Sequence, residues 1–441
     1  MSAGVLVVEP SGPLYGTVEL AGAKNAVLVM MISLILARGI SRLYNVPNIS
    51  DVRDMILLLE SLGVLIAYCS NTRELVVDTT HIECTMIAHD LMKKTRASIL
   101  VMGALLARCG VASVGLPGGD AIGKRPIDFH IKGLQKLGAD IVHDEGLIHV
   151  SADTLRGARI ILEYPSVGAT ENIMLAAVGA EGTTTIVNAA LEPEVVELIH
   201  VLRLMGVHIT VEAPATIRIE GCRPLTPVIH TVMVDRLEAG TLLIAAAVTG
   251  GSVYLPTARP DHLDMLLMKL EEMGHSISVD SLKAGIRLVA TRTPTAVSFK
   301  TGPYPSFPTD LQAPMMAAQC GAQGRSFIEE TVFENRLFHA EELIKMGAEI
   351  IITNNSKVVV QGSSTLYGTQ VTANDIRASS ALVIAGLAAS GGCTEINGLI
   401  HWQRGYEALE RKLVQLGASL YTKNVGAEMT VPKVYSGNVL T

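Results

Sequence analysis

The chain has 441 residues, 49% apolar, 17% charged and only 4% aromatic, with a net charge of −7. Such a length exceeds what one hydrophobic core organises, so two or three domains are expected, with aliphatic cores built from Ala, Val, Ile, Leu and 17 Met. The acidic balance, without basic runs, speaks against nucleic acid as a partner, and the longest apolar runs fall short of the ~20 residues of a membrane span.

In chain order, residues 1–23 carry no Lys or Arg, unlike a secretory signal, and a cytoplasmic location is expected. A small-residue apolar run, AVLVMMISLILARG, then closes on Gly39. The same design recurs in ASILVMGALLARCG, ATENIMLAAVGAEG, AGTLLIAAAVTGG, LQAPMMAAQCGAQG and ASSALVIAGLAASGG, closing on Gly110, Gly182, Gly251, Gly324 and Gly392. Behind each lies an amphipathic stretch ending in Leu or Met before Gly63, Gly138, Gly206, Gly274, Gly347 or Gly417. Two independent markers thus share a period of about 70 residues, the signature of a repeated unit. Each unit is expected to hold a buried helix, strands, and an exposed helix closed by glycine. Three plus three is the natural division, with a boundary near residue 233; one continuous solenoid is the alternative, but nothing resembles terminal caps.

Within the second unit, Gly115–His130 (GLPGGDAIGKRPIDFH) combines four glycines and two prolines with Asp120, Lys124, Arg125 and Asp128. This is the composition of a shaped, hinged loop with chemistry at its tip. The six cysteines (69, 84, 109, 222, 320, 393) form no CxxC or Cys/His cluster, which favours reduced, mostly buried thiols, with Cys109 and Cys320 in the core. No metal-binding pattern is visible.

The buried runs open on Lys24-Asn25, Thr95-Arg96, Ser166–Thr170, Asp235-Arg236, Thr309-Asp310 and Asp375–Arg377. Thr95, Asp235 and Asp375 are expected N-caps, and Asp310 can serve as one. Lys or Arg in a first helical turn opposes the helix dipole. If the three buried helices of each domain run parallel, their N-termini converge on one face. Two such faces make a positive cleft suited to a polyanionic ligand between domains.

At this point the residues resemble the UDP-N-acetylglucosamine enolpyruvyl transferases (UDP-N-acetylglucosamine 1-carboxyvinyltransferases) of the EPSP synthase superfamily. The likeness runs nearly end to end: GTVELAGAKNA, KTRASILVMGALLAR, LPGGDAIGKRPIDFHI, PSVGATENIM, NAALEPEV, DRLEAGT, PSFPTDLQAP, TVFENRLFH, DIRASSALVIAG and RGYE. It implies an α/β fold of two inside-out α/β domains, each of three repeated units. Residues 24–233 would form the first, carrying loop 115–130, and residues 1–23 with 234–441 the second, with the active site between them. The implied reaction moves enolpyruvyl from phosphoenolpyruvate to the 3′-hydroxyl of UDP-N-acetylglucosamine, releasing phosphate by addition and elimination, the first committed step of peptidoglycan precursor synthesis. Both substrates are small molecules. No cofactor and no protein partner are implied.

The resemblance assigns roles by motif. Lys24 and Asn25 are expected at the donor and the sugar, and Arg125 and Arg404 at the phosphate. Arg336 and Arg377 fall to the carboxylate, and Arg96 to the nucleotide-sugar. Arg125, Pro126, Ile127, Asp128 and Phe129 frame the uracil, with Asp128 as hydrogen-bond partner. Ser166, Val167 and Gly168 cradle the diphosphate, where Tyr164-Pro165 replaces a lysine of some relatives. Asp310 is the base or orienter for the sugar hydroxyl, and the Val332 backbone touches the sugar. His130 and His401 are given no catalytic part. Most relatives carry cysteine at Asp120, the thiol that fosfomycin alkylates. A carboxylate is a poor soft nucleophile, so fosfomycin insensitivity is expected, with Asp120 acting as proton donor or tuning loop closure. The rivals are the sister enzyme 5-enolpyruvylshikimate-3-phosphate synthase and a catalytically silent UDP-sugar sensor.

Overall fold

The computed structural model describes residues 4–222, 224–279 and 285–424. Six helices form its interior: Lys24–Ser33, Val101–Cys109, Val167–Ala177, Arg236–Thr249, Gln312–Gly321 and Ile376–Leu387. Alternating small and branched apolar side chains let these helices bury almost their whole circumference. Where two approach closely, glycine is required. A Cβ on Gly103 would overlap Asn172, whose side-chain oxygen instead accepts the Gly103 N–H at 2.8 Å.

Around the helices lie five four-stranded sheets and one three-stranded sheet among the described residues. Five of the units supply a strand and an antiparallel hairpin, in the sixth the N-terminal strand takes the place of one hairpin strand, and all but one of the sheets gain a parallel strand from elsewhere in the chain. Ile229–Thr231 pairs parallel with Ile40–Tyr44, so the third unit closes back on the first. At the other end, Gly4–Val8 lies between Thr394–Asn397 and Leu420–Asn424, and Tyr15–Thr17 pairs with Ser252–Leu255. The exposed helices end as the glycine spacing suggests: Gly63, Gly138, Gly206, Gly274, Gly347 and Gly417 all have positive φ.

Two apolar cores result. One draws on residues between Ala23 and Val232, the other on Leu6–Leu20 together with residues between Leu237 and Leu420. The chain passes between them twice, at 20–23 and 232–235, where the Ala23 N–H donates to Met233 and the Asp235 N–H to Ala21, both at 2.8 Å. No described helix is long and apolar enough to cross a membrane.

Two local expectations are corrected. Thr95 has the extended backbone of an N-cap but its side chain makes no cap to the 3-10 turn, Arg96–Leu100, that carries the chain into the Val101–Cys109 helix. Among the cysteines only Cys320 is buried. Cys109 is exposed, since it ends its helix beside Gly110 in the left-handed conformation, beyond the packed surface.

His130, His275 and His339 are buried neutral: burial pushes the first down to about 3 and the other two to about 4. Unfolding restores an ordinary pKa near 6.5, so it takes up protons below that pH. Each site then removes up to ~1.4 kcal/mol of stability per pH unit between about 6.5 and its folded value. The thermal midpoint is therefore expected to fall on acidification from pH 7 to 5. The fall should be shallower, by about one proton's worth, in His130→Gln; identical slopes would contradict this.

Candidate active site

A cavity of about 640 Å³ lies between the two cores. The first turn of every one of the six interior helices, or the 3-10 turn leading into it, contributes to its wall: Lys24-Asn25, Arg96, Ser166–Gly168, Arg236, Asp310 and Ile376-Arg377. Three starts are capped by side chains. Asp235 accepts from the Leu237 and Glu238 N–H groups, Asp375 from Arg377 and Ala378, and Ser166 from Ala169. Cations set against these positive helix ends need compensation.

Carboxylates provide it at two places. Asp51, 1% exposed, binds the Lys24 Nζ at 3.0 Å and the Arg404 Nε at 2.9 Å, tying the first core to the second. The outer edge of Arg404 donates to Asp120 at 2.7 Å, and the His401 ring lies 3.6 Å from the same oxygen. Although burial works against the charge of Arg404, Asp51 and Asp120 hold its guanidinium above the ordinary arginine range. Burial alone would raise the pKa of Asp120, but His401, Arg404 and Lys24 outweigh it and hold the carboxyl below the usual range, hence ionised.

The second place is Asp310. It sits within the 3-10 turn Thr309–Leu311 and makes no cap; its two oxygens accept from Arg336 and Arg377 at 2.7 and 2.8 Å. Arg377 also donates to the Tyr406 hydroxyl at 2.9 Å. Burial is again outweighed by the two guanidiniums, and Asp310 lies far below the ordinary carboxylate range. Removing one member of such a buried group costs ~3–5 kcal/mol, because the charge left behind is unpaired.

Arg96 and Arg125 are different: among the described residues neither has a carboxylate within ion-pair distance. Arg96 donates to the carbonyl of Arg125, and Arg125 stacks 5.4 Å from the centre of the Phe333 ring. Arg125 holds φ of 45°, an uncommon conformation for a side-chain-bearing residue. Beside it Gly119, at φ of 110°, leaves room for the Arg125 guanidinium and for the Cβ and backbone of Arg96. Burial and the neighbouring arginine bring Arg96 down to about 10, and burial lowers Arg125 too. Asp120 and Asp310 act favourably on Arg125 from beyond ion-pair distance, so two cations of a partly desolvated wall lack a directly paired carboxylate, an arrangement that favours an anion.

The loop carrying Asp120 is docked across the cavity. Ile122 is 5% exposed and its carbonyl accepts the Asn335 N–H at 3.2 Å. At another part of the wall, Arg236 binds Glu194 at 3.0 and 3.2 Å, and Glu192 accepts the Tyr304 N–H at 3.3 Å.

Of the residues singled out from the sequence, Lys24, Asn25, Arg96, Asp120, Arg125, Pro126, Phe129, Ser166, Val167, Gly168, Asp310, Val332, Arg336, Arg377 and Arg404 line this one cavity. Ile127 and Asp128 do not: the chain turns into the Asp128–Lys136 helix there, and Asp128 lies 3.7 Å from Lys132 of its own helix. The Val332 N–H is taken by Glu330 at 2.8 Å, leaving its carbonyl for a ligand. His130 is a packing residue, bonded to Asn172 at 2.9 Å. Asp51, Glu171, Glu192, Glu194 and Tyr304 also line the cavity and were not anticipated. The hint for Glu192 and Glu194 was the pair of acids in LEPEV, beside a helix start.

The profile of the EPSP synthase (3-phosphoshikimate 1-carboxyvinyltransferase) family matches residues 8–413. Over 415 residues the chain is 45% identical to the UDP-N-acetylglucosamine 1-carboxyvinyltransferase of Geobacter metallireducens, covering 94% of this chain and 98% of that one. It is 47% identical over 417 residues to UDP-N-acetylglucosamine 1-carboxyvinyltransferase 1 of Caldanaerobacter subterraneus subsp. tengcongensis, covering 95% and 99%. In fold it is similar to the enolpyruvyl transferase NikO of Streptomyces tendae, at TM-score 0.85 and 24% identity over 96% of this chain and 99% of that one. An EPSP synthase of Acinetobacter baumannii superposes at TM-score 0.73 with 17% identity over 95% and 100%.

A half-buried guanidinium without a directly paired carboxylate, as at Arg125, favours ligand binding at the expense of stability. Arg125→Leu is therefore expected to melt no lower than the parent protein in anion-free buffer. Pyrophosphate should raise the midpoint of the parent and have little effect on the variant. A variant that melts well below the parent, yet still responds to pyrophosphate, would contradict this.

Proposed function

The chain belongs to the UDP-N-acetylglucosamine 1-carboxyvinyltransferase family, and from that premise we propose that it transfers enolpyruvyl from phosphoenolpyruvate to the 3′-hydroxyl of UDP-N-acetylglucosamine, with release of phosphate. The observation that carries the reading is the convergence of Lys24, Arg96, Arg125, Arg336, Arg377 and Arg404 on one cavity. The two substrates together bring a diphosphate, a phosphate and a carboxylate, which need that many donors.

In this reading the donor's phosphate is held by Lys24, Arg125 and Arg404 and its carboxylate by Arg336 and Arg377. The diphosphate lies on the N-terminus of the Val167–Ala177 helix, and Pro126 and Phe129 flank the uracil. Asn25 and the Val332 carbonyl hold the sugar. Asp310 accepts the hydrogen bond of the 3′-hydroxyl, and takes its proton as the donor's carboxylate draws Arg336 and Arg377 away. Oxygen attack on the enol carbon and protonation of the methylene give a tetrahedral adduct. Loss of a methyl proton and of phosphate completes the exchange.

Asp120 is the proton donor to the methylene. Its carboxylate is ionised while paired with Arg404. An incoming phosphate takes Arg404 and sets a like charge beside Asp120, which raises its pKa and lets it acquire the proton that it delivers. The same reading includes two three-unit domains and a cytoplasmic setting in cell-wall precursor synthesis.

Phosphate release with phosphoenolpyruvate and either acceptor tests the assignment. UDP-N-acetylglucosamine should support turnover and shikimate-3-phosphate should not; binding of the nucleotide-sugar without any phosphate release would favour a sensor. Fosfomycin is expected to leave the activity intact while inactivating Asp120→Cys, and rapid irreversible loss of activity in the parent protein would overturn the role given to Asp120. The rate optimum of the parent should also lie at lower pH than that of Asp120→Cys.

A further inference from the structure

Glu171 is a buried acid inside the cavity wall that none of the roles above uses. It is the fifth residue of the Val167–Ala177 helix, 5% exposed, and lines the cavity. Among the described residues it has no hydrogen-bond or ion-pair partner. Its charged surroundings are of the wrong sign. Glu192 and Glu194, at the start of the Pro193–Leu204 helix, act on it unfavourably, and a second oxygen of Glu192 is buried without a partner. The nearby cations are committed elsewhere: Arg236 to Glu194 at 3.0 and 3.2 Å, and Arg96 to the carbonyls of Arg125 and Pro126. His130, on the helix packed alongside, is bonded to Asn172. The three glutamates are not arranged to share a metal ion.

A carboxylate desolvated without a donor, and facing two other carboxylates, is strongly disfavoured; the neutral acid is the form that fits this place. Burial, then Glu194 and Glu192, accordingly hold its pKa well above the ordinary value. A neutral carboxylic acid carries one O–H donor, and no protein group here receives it. Helical side chains lean toward the helix N-terminus, so the carboxyl stands on the side of Val167 and Gly168. The backbone donors there and the O–H beside them open into one space. An ionised glutamate would repel a diphosphate in that space, whereas a neutral one adds a donor to it.

We propose that Glu171 meets the bound nucleotide-sugar as a carboxylic acid, donating a hydrogen bond to an oxygen of its diphosphate–sugar half. This rests on the nucleotide-sugar reading given above. Glu171 is on this account a positioning and specificity residue and takes no part in bond making.

Two near-isosteric variants separate donation from packing. Glu171→Gln keeps a donor without charge, and its KM for UDP-N-acetylglucosamine should stay within about threefold of the parent value. Glu171→Met fills the same volume without a donor, and should raise that KM about tenfold or more with kcat little changed. Neither variant should melt below the parent, since each removes an unpaired buried acid. A Met variant with the parent KM, or a Gln variant as weak as Met, would overturn the proposal. Infrared difference spectra give a readout independent of variant folding. Adding UDP-N-acetylglucosamine to the parent protein should shift a protonated-carboxyl C=O band that is missing in Glu171→Gln. Binding without such a shift sinks the role of Glu171 alone, whereas failure of UDP-N-acetylglucosamine to bind at all sinks the wider reading with it.

Discussion

The structure depends on holding cations at the wrong end of helices. Lys24, Arg236 and Arg377 occupy first helical turns, where the dipole is already positive, and each is stabilised there by a carboxylate of the cavity wall: the buried Asp51 and Glu194, and the part-exposed Asp310. Asp51 is the most connected of these. By binding Lys24 from its own core and Arg404 from the other, it fixes the distance between the two walls of the cleft. Such pairs contribute little net stability, because desolvation offsets attraction. Their value lies in keeping charged groups oriented at a surface where an anion can exchange for a carboxylate.

Asp120 belongs to the same system through its pairing with Arg404. The loop that carries it is anchored by Ile122 and by the pairing with Arg404, so its carboxylate stands where an incoming anion would stand. A thiol could not make that charge-assisted bond. A cysteine placed at this position would therefore change the resting contacts of the loop as well as its reactivity toward electrophiles.

Much of this was legible in the sequence. The glycine period gave the six units, because the exposed helices must end in a left-handed residue and only glycine does so cheaply. Polar and cationic residues at the starts of apolar runs marked the cleft. What stayed hidden was the partner of each cation. Asp51 sits in the first turn of the amphipathic helix Ser50–Glu60, where an acid is expected for the dipole alone, so nothing local distinguishes it from a surface residue. Glu171 lies in a run expected to form a buried helix, and nothing in that run marks it as part of the cavity wall. Cys109 erred in the other direction: an apolar neighbourhood in sequence does not reveal that the helix ends beneath it. Asp128 opens the Asp128–Lys136 helix beside the cavity, with one carboxylate oxygen buried and without a protein partner.

The central claim is that buried carboxylates keep places for substrate anions. A crystal structure of the protein with UDP-N-acetylglucosamine and an unreactive phosphoenolpyruvate analogue tests it most directly. The account predicts that Arg404 leaves Asp120 for the analogue's phosphate, and that Arg336 and Arg377 turn toward its carboxylate while Asp51 keeps Lys24. A complex in which both ligands are bound and the Arg404–Asp120, Arg336–Asp310 and Arg377–Asp310 pairs are all unchanged would contradict it.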